Sequence, residues 1–135
     1  MVDRCRQVAE EPLHGRRVGG VESRGAARAD VQRGYTVVIW RGRHVTEPTE
    51  LTEAEAAGYW SEVLHVARGL IAEFEPLKMN YETLGNSLPH LHTHLIPRFT
   101  ADPRPGQPFP LDLANAGAVP EDRLLAEAAA LRARL

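Results

Sequence analysis

The sequence predicts an α+β domain in which an antiparallel β-sheet packs with one long helix, followed by a C-terminal helix. Three stretches carry that expectation. YTVVIW, from Tyr35 to Trp40, is a β-branched and aromatic run of strand type. The segment from Thr52 to Glu75 is amphipathic and opens with Thr52 and Glu55 at capping-box spacing. HLHTHLI, from His90 to Ile96, alternates with the period of a strand.

At 135 residues and 43% apolar, the chain has length for one domain with a real core. Its formal net charge of −2 gives no global case for nucleic acid or an anionic membrane as a partner. No apolar run approaches the roughly 20 residues that span a bilayer, and the N-terminus lacks the apolar stretch of a secretory signal. The expectation is a cytoplasmic protein with no membrane contact. Cys5 is the single cysteine, which leaves no internal disulfide and no cysteine-based zinc site.

Three regions follow in order. Residues 1–33 hold seven arginines against five acids, four glycines and no aromatic residue, so they read as an Arg/Gly-rich segment that contributes little to a core. Residues 34–110 carry the domain core. There Tyr35 to Trp40 is a buried strand, followed by the turn-like RGR and the isolated His44. On the long helix, apolar residues recur at Trp60, Val63, Leu64, Ala67, Ile71 and Phe74, and Pro76 closes it. Leu77 to Thr83 is a second strand that forms an antiparallel hairpin with the histidine strand through the turn residues LGNSLP. Pro97 is expected to end the histidine strand, because proline lacks the donor that a central ladder needs. Five prolines between Pro97 and Pro110 make that stretch loop or extended chain. Residues 111–135 form a helical segment with Leu124, Ala128, Leu131 and Leu135 in one stripe.

The histidine strand asks for a chemical reason. On a strand, a spacing of two puts His90, His92 and His94 on one face and Leu91, Thr93 and Leu95 on the other. Zinc is one reading, but His90 and His94 would lie about 13 Å apart at their Cα atoms, whereas ligating nitrogens approach to about 2 Å of the ion. A third ligand would then come from a neighbouring strand, with His44 the candidate. A second reading is a polar layer satisfied by hydrogen bonds. Catalysis is the third, since a neutral imidazole, with its unperturbed pKa of about 6.5, is a competent nucleophile near neutral pH. Arg41, Arg43 and Arg98 read as solvated charges at strand ends, and Trp40 and Trp60 as core residues.

GNSLPHLHTHLIPR resembles the signature of the histidine triad (HIT) family, His-φ-His-φ-His-φ-φ with φ apolar, and Thr93 is its one departure. The order of elements from about Tyr35 to Phe99 is similar to the family's as well. The resemblance implies a nucleotide hydrolase, or nucleotidyl transferase to water, in which His92 attacks the α-phosphorus of a nucleoside phosphate derivative and forms a covalent nucleotidyl-histidine. It implies that His94 hydrogen-bonds phosphate or leaving-group oxygen, and that His90 and His44 fix ring orientation. It places Asn80, Asn86 and Ser87 against the phosphates, with Asn86 standing where many members carry Gln. Retention of His94, which is Gln in the uridylyltransferase branch, favours hydrolase over transferase. The expected partners are a small nucleotide and a second copy of the chain in a homodimer, with no cofactor, no metal and no nucleic acid. Two other readings share these residues: a nucleotide-binding regulatory module without significant turnover, and a histidine-based metal-binding protein.

Overall fold

The computed structural model describes residues 24–27, 33–102, 106–109 and 120–135. Four antiparallel strands, β1 (Arg24–Ala27), β2 (Thr36–Ile39), β3 (Lys78–Glu82) and β4 (His92–Arg98), form one sheet in the order β1-β2-β4-β3. Helix α1 (Glu53–Phe74) lies between β2 and β3 in the chain, and α2 (Glu121–Arg132) follows β4. Residues 1–23 and 110–119, which include most of the Arg/Gly-rich segment, fall outside the described residues.

Helix α1 begins as its sequence requires. The Thr52 hydroxyl accepts from the Glu55 backbone N–H, and the Glu55 carboxylate accepts from the Thr52 N–H, which satisfies two of the free donors at the helix start. At its other end Glu75 adopts the left-handed conformation and its N–H bonds the Ile71 carbonyl, so the helix stops before Pro76. The buried side of α1 carries Tyr59, Val63, Val66, Ala67, Leu70 and Phe74. These pack on Val38 and Trp40, on Met79 and on Leu91 and Leu95 in one core cluster. Each such aliphatic or aromatic side chain contributes about 1.5–3 kcal/mol on full burial. Helix α2 joins the same cluster through Leu131. It approaches α1 at Gly69, where a Cβ would come within 3.1 Å of both Leu131 and Leu135 side-chain carbons. That close approach explains a glycine in mid-helix, where it otherwise costs about 1 kcal/mol relative to alanine.

The expected α+β architecture stands, with three corrections. Strand β1 lies inside the segment expected to add little, and its backbone pairs with β2 from Arg24↔Ile39 to Ala27↔Thr36. Strand β4 runs two residues later than expected, and Pro97 sits within it opposite Met79 instead of ending it. Beyond Leu95, β4 is paired with β3 alone, so a missing donor on the other flank costs no ladder bond. On α1 the buried stripe is rotated from the expected one: Trp60, Leu64 and Ile71 are 37%, 42% and 45% exposed, while Tyr59 and Leu70 are buried. Among the described residues no helix is long and apolar enough to cross a membrane.

Candidate functional site

The sheet has two faces of different character. Val38, Met79 and Leu95 point toward α1, so their strand neighbours point away from it. The away-facing set is Val37 and Ile39 on β2, His92, His94 and Ile96 on β4, and Asn80 and Glu82 on β3. Tyr35, Ile96 and Phe109 form a small second cluster there. Burial of the alternate residues in the core thus leaves His92 and His94 half-buried on the open face. Their ring centroids are 4.9 Å apart with planes at 75°.

Each imidazole is held by a named partner. His92 Nδ1–H donates to the His90 carbonyl at 2.6 Å. A carbonyl only accepts, so the proton is fixed on Nδ1 and the lone pair on Nε2. His90 Nε2–H donates to the Trp40 carbonyl at 2.6 Å, which leaves the His90 Nδ1 lone pair to accept from His44 Nδ1–H at 3.3 Å. The His44 and His90 rings stack with centroids 5.4 Å apart. His94 Nδ1 is hydrogen-bonded to the Tyr35 hydroxyl, with the two rings parallel within 5° and 5.7 Å apart.

The turn that carries His44 is locked from both sides. Trp40, buried in the core, donates its indole N–H to the Arg43 carbonyl at 2.7 Å. The Arg43 guanidinium makes a two-point contact with the Glu55 carboxylate at 3.2 and 2.9 Å and also donates to the Glu50 carbonyl. The Arg43 hydrogen bond, with the Thr52 N–H behind it, holds the Glu55 carboxyl at about 2. Arg43, exposed as expected, is thus also an anchor for this turn. The Trp40 N–H donates to the Leu91 carbonyl and the Leu91 N–H to the Val45 carbonyl, which join the turn to the entry of β4.

Thr93, the one polar residue at an apolar position of the motif, faces α1 and is fully buried. Its hydroxyl is satisfied by the Tyr59 hydroxyl at 2.8 Å and the Thr83 hydroxyl at 2.9 Å. Burial pushes the Tyr59 phenol up to about 12, so it stays protonated at any working pH. This network ties the back of the histidine strand to α1 and to the start of the loop after β3.

The residues expected at the phosphates do not converge. Asn86 and Ser87 are exposed in the loop between β3 and β4, and a Cβ on neighbouring Gly85 would lie 3.9 Å from the Thr46 carbonyl oxygen, beside the His44 turn. Asn80 stands opposite Ile96. It lines an open cleft of about 1010 Å³ that passes Tyr81, Glu82 and Gln107 along the β3 edge. Asn80 therefore belongs to the His94 end of the face, and Asn86 and Ser87 to the His44 and His90 end. Arg98 also departs from expectation. It is 8% exposed, paired with Asp102, and donates to the Gln107 carbonyl at 2.8 Å, which draws residues 106–109 over the sheet. Among the described residues no group of three or more His, Cys, Asp or Glu side chains is arranged to hold a metal ion.

Sequence reasoning missed Tyr35 and Glu82 as members of this face. The alternation of YTVVIW puts Tyr35, Val37 and Ile39 together. Only the register with β4 brings them to the histidines.

The antiparallel sheet thus presents the His92 and His94 imidazoles side by side on its open face. A family model described as HIT domain matches residues 28–101, more than half of the chain, and the chain belongs to the histidine triad family. It is 36% identical over 76 residues to "Protein hit" of Bacillus subtilis (strain 168), a match that spans 53% of this chain and 52% of that relative's length. A crystal structure of a histidine triad (HIT) protein from Sinorhizobium meliloti 1021 superposes with a TM-score of 0.78 at 25% identity, covering 98% of this chain and 94% of that one. A histidine triad protein from Bradyrhizobium japonicum follows with a TM-score of 0.74 at 24% identity, covering 97% and 93%. The family is one of nucleotide-binding proteins that are generally nucleotide hydrolases or transferases.

Proposed function

We propose that the chain is a nucleotide hydrolase that transfers a nucleotidyl group to water through a covalent nucleotidyl-histidine. The observation that carries this reading is the hydrogen bond from His92 Nδ1–H to the His90 carbonyl, because it leaves a lone pair on Nε2 at the open face of the sheet. In the first step Nε2 attacks the α-phosphorus of a nucleoside phosphate derivative, the P–N bond forms and the leaving group departs with its electron pair. In the second step water attacks the same phosphorus and the P–N bond breaks, which returns the imidazole and releases the nucleoside monophosphate. His94 presents an N–H to phosphate or leaving-group oxygen, His90 and His44 hold the nucleophile's surroundings, and Asn86 and Ser87 contact phosphate from the loop beside them. Asn80, at the other end of the face, contacts a more distant part of the substrate. The substrate is a small nucleotide of the dinucleoside polyphosphate, nucleoside phosphoramidate or acyl nucleotide type, since these share the reacting phosphorus.

The test is a native-condition quench during turnover of those three substrate classes. Intact protein heavier by one nucleotidyl group, with the added mass on the peptide that contains His92, is the expected result. Turnover without any such adduct under single-turnover conditions would remove the covalent step. Tight nucleotide binding without turnover of any class would favour a regulatory module.

We also infer a homodimer through α1. Trp60, Leu64 and Ile71 lie within about 40° of one another around the helix and leave an apolar stripe on its outer side. Light scattering at micromolar concentration should give twice the chain mass, and Trp60→Glu should return a folded monomer. A monomer from the parent protein would remove the dimer.

A further inference from the structure

The three rings of the triad are held by partners of different chemical kinds. His92 and His90 each donate to a backbone carbonyl, Nδ1–H in one case and Nε2–H in the other. A carbonyl has lone pairs and no proton, so neither ring can change tautomer without breaking its bond. His94 alone is held by a hydroxyl, that of Tyr35, and a hydroxyl both donates and accepts. Tyr35 is 2% exposed and clamped with Ile96 and Phe109, so its hydroxyl is fixed in place.

The polarity of that bond follows from acidity. A phenol, with an ordinary pKa of about 10, is a far stronger donor than a neutral imidazole N–H, and an imidazole nitrogen is a better acceptor than a phenol oxygen. We propose that Tyr35 is the positioning residue of the third histidine: its O–H donates to His94 Nδ1 in the resting protein and holds the neutral His94 ring as the Nε2–H tautomer, opposite to that of His92. The two adjacent rings then present complementary atoms to one substrate, a lone pair on His92 Nε2 for phosphorus and an N–H on His94 Nε2 for oxygen. When His94 gains a second proton, its Nδ1–H donates to the phenol oxygen, and the contact survives the change of charge. Tyr35 thereby lets His94 gain or lose a proton at the very nitrogen that is held, Nδ1, whereas the held nitrogens of His92 and His90 must keep theirs. Among the described residues, the groups beside His94 include Glu82, directly opposite on β3, and His92 on its own strand, while β2 opposes it with Val37. One Glu82 carboxylate oxygen is buried and makes no hydrogen bond among the described residues. The tautomer of the neutral ring is set by Tyr35.

This inference rests on the nucleotide-hydrolase reading for its purpose, but its primary test needs no substrate. Long-range ¹⁵N–¹H correlation on the full protein labelled at histidine nitrogens reports which ring nitrogen bears the proton. Above the titration range, His92 should show the Nδ1–H pattern, and His90 and His94 the Nε2–H pattern. In Tyr35→Phe, which keeps the ring stacked on His94, the His94 signals should become a mixture of tautomers, with His92 and His90 unchanged. In Glu82→Gln the His94 tautomer should stay as in the parent. A parent His94 found as the Nδ1–H tautomer would overturn the proposal, and so would a His94 tautomer unaltered by Tyr35→Phe. This first measurement is made on the parent protein and does not depend on how any variant folds. In turnover, Tyr35→Phe should lower kcat about 10-fold with KM changed less than about 3-fold. The alkaline limb of its kcat–pH profile should move to lower pH, because the imidazolium loses a charge-assisted hydrogen bond. A kcat and pH profile equal to the parent's would confine Tyr35 to a structural role and overturn the proposal. Correct tautomers in a protein that turns over no nucleotide would leave the positioning role intact and count against the hydrolase reading alone.

Discussion

Replacing His92 with alanine or asparagine should lower turnover by about 10⁴-fold or more, the scale expected when a covalent nucleophile is removed. The expected thermal melt stays close to the parent's, because the His92 side chain is half-buried on the open face and fills no space in the cluster under α1. Among the described residues its side chain hydrogen-bonds the His90 carbonyl, which water can satisfy once the ring is gone. The nucleotidyl adduct should vanish with activity. Substrate affinity should change little, since the phosphate contacts assigned to the loop at Asn86 and Ser87 remain. The measurement is single-turnover kinetics with intact-mass analysis of parent and variant side by side. Full activity in His92→Ala would end the covalent mechanism, and an adduct mapped to His90 or His94 would assign the same chemistry to a different imidazole.

Local signals in the sequence were enough to place α1, and β4 to within two residues, because each rests on near neighbours in the chain. The Thr52 and Glu55 box specifies a helix start through contacts three residues apart, and it is formed as written. The period-two spacing of His92 and His94 needs only strand pleating to put both rings on one face. Strand β1 escaped because Arg-Gly-Ala-Ala has no alternation to read, and its place comes from backbone pairing with β2. The exposed stripe on α1 escaped because apolar residues occupy more than one side of that helix. Buried on that helix, Tyr59 meets hydroxyl and carbonyl partners distant in sequence, Thr93 on β4 and Val38 on β2. The Tyr35 to His94 contact joins residues 59 apart in sequence. No spacing rule carries such a pair; it exists only once β2 and β4 adopt their register. The residues expected at the phosphates were the least legible for the same reason: the resemblance groups Asn80 with Asn86 and Ser87, while Asn80 pairs with Ile96 in the sheet and Asn86 and Ser87 lie exposed in the loop after β3.

The second large effect belongs to His94, and its size should depend on the substrate. A group that protonates a departing oxygen or nitrogen matters in proportion to the basicity of that atom in the transition state. With a nucleoside 5′-phosphate p-nitrophenyl ester, whose phenolate leaves readily without a proton, His94→Ala should cost less than about 10-fold in kcat. With a nucleoside phosphoramidate, whose amine is a poor leaving group until protonated, the same variant should cost about 10² to 10⁴. The corresponding loss in His90→Ala should be similar for both substrates. His90 donates to the Trp40 carbonyl and accepts from His44, away from any leaving group, so its removal loosens the nucleophile's surroundings irrespective of what departs. The comparison is therefore a slope: log kcat against leaving-group pKa should steepen in His94→Ala and stay parallel to the parent in His90→Ala. Parallel lines for both variants would show that His94 holds phosphate without delivering a proton. A steeper line for His90→Ala would move the acid role to the first histidine of the row, whose stacked neighbour His44 would then be its proton source.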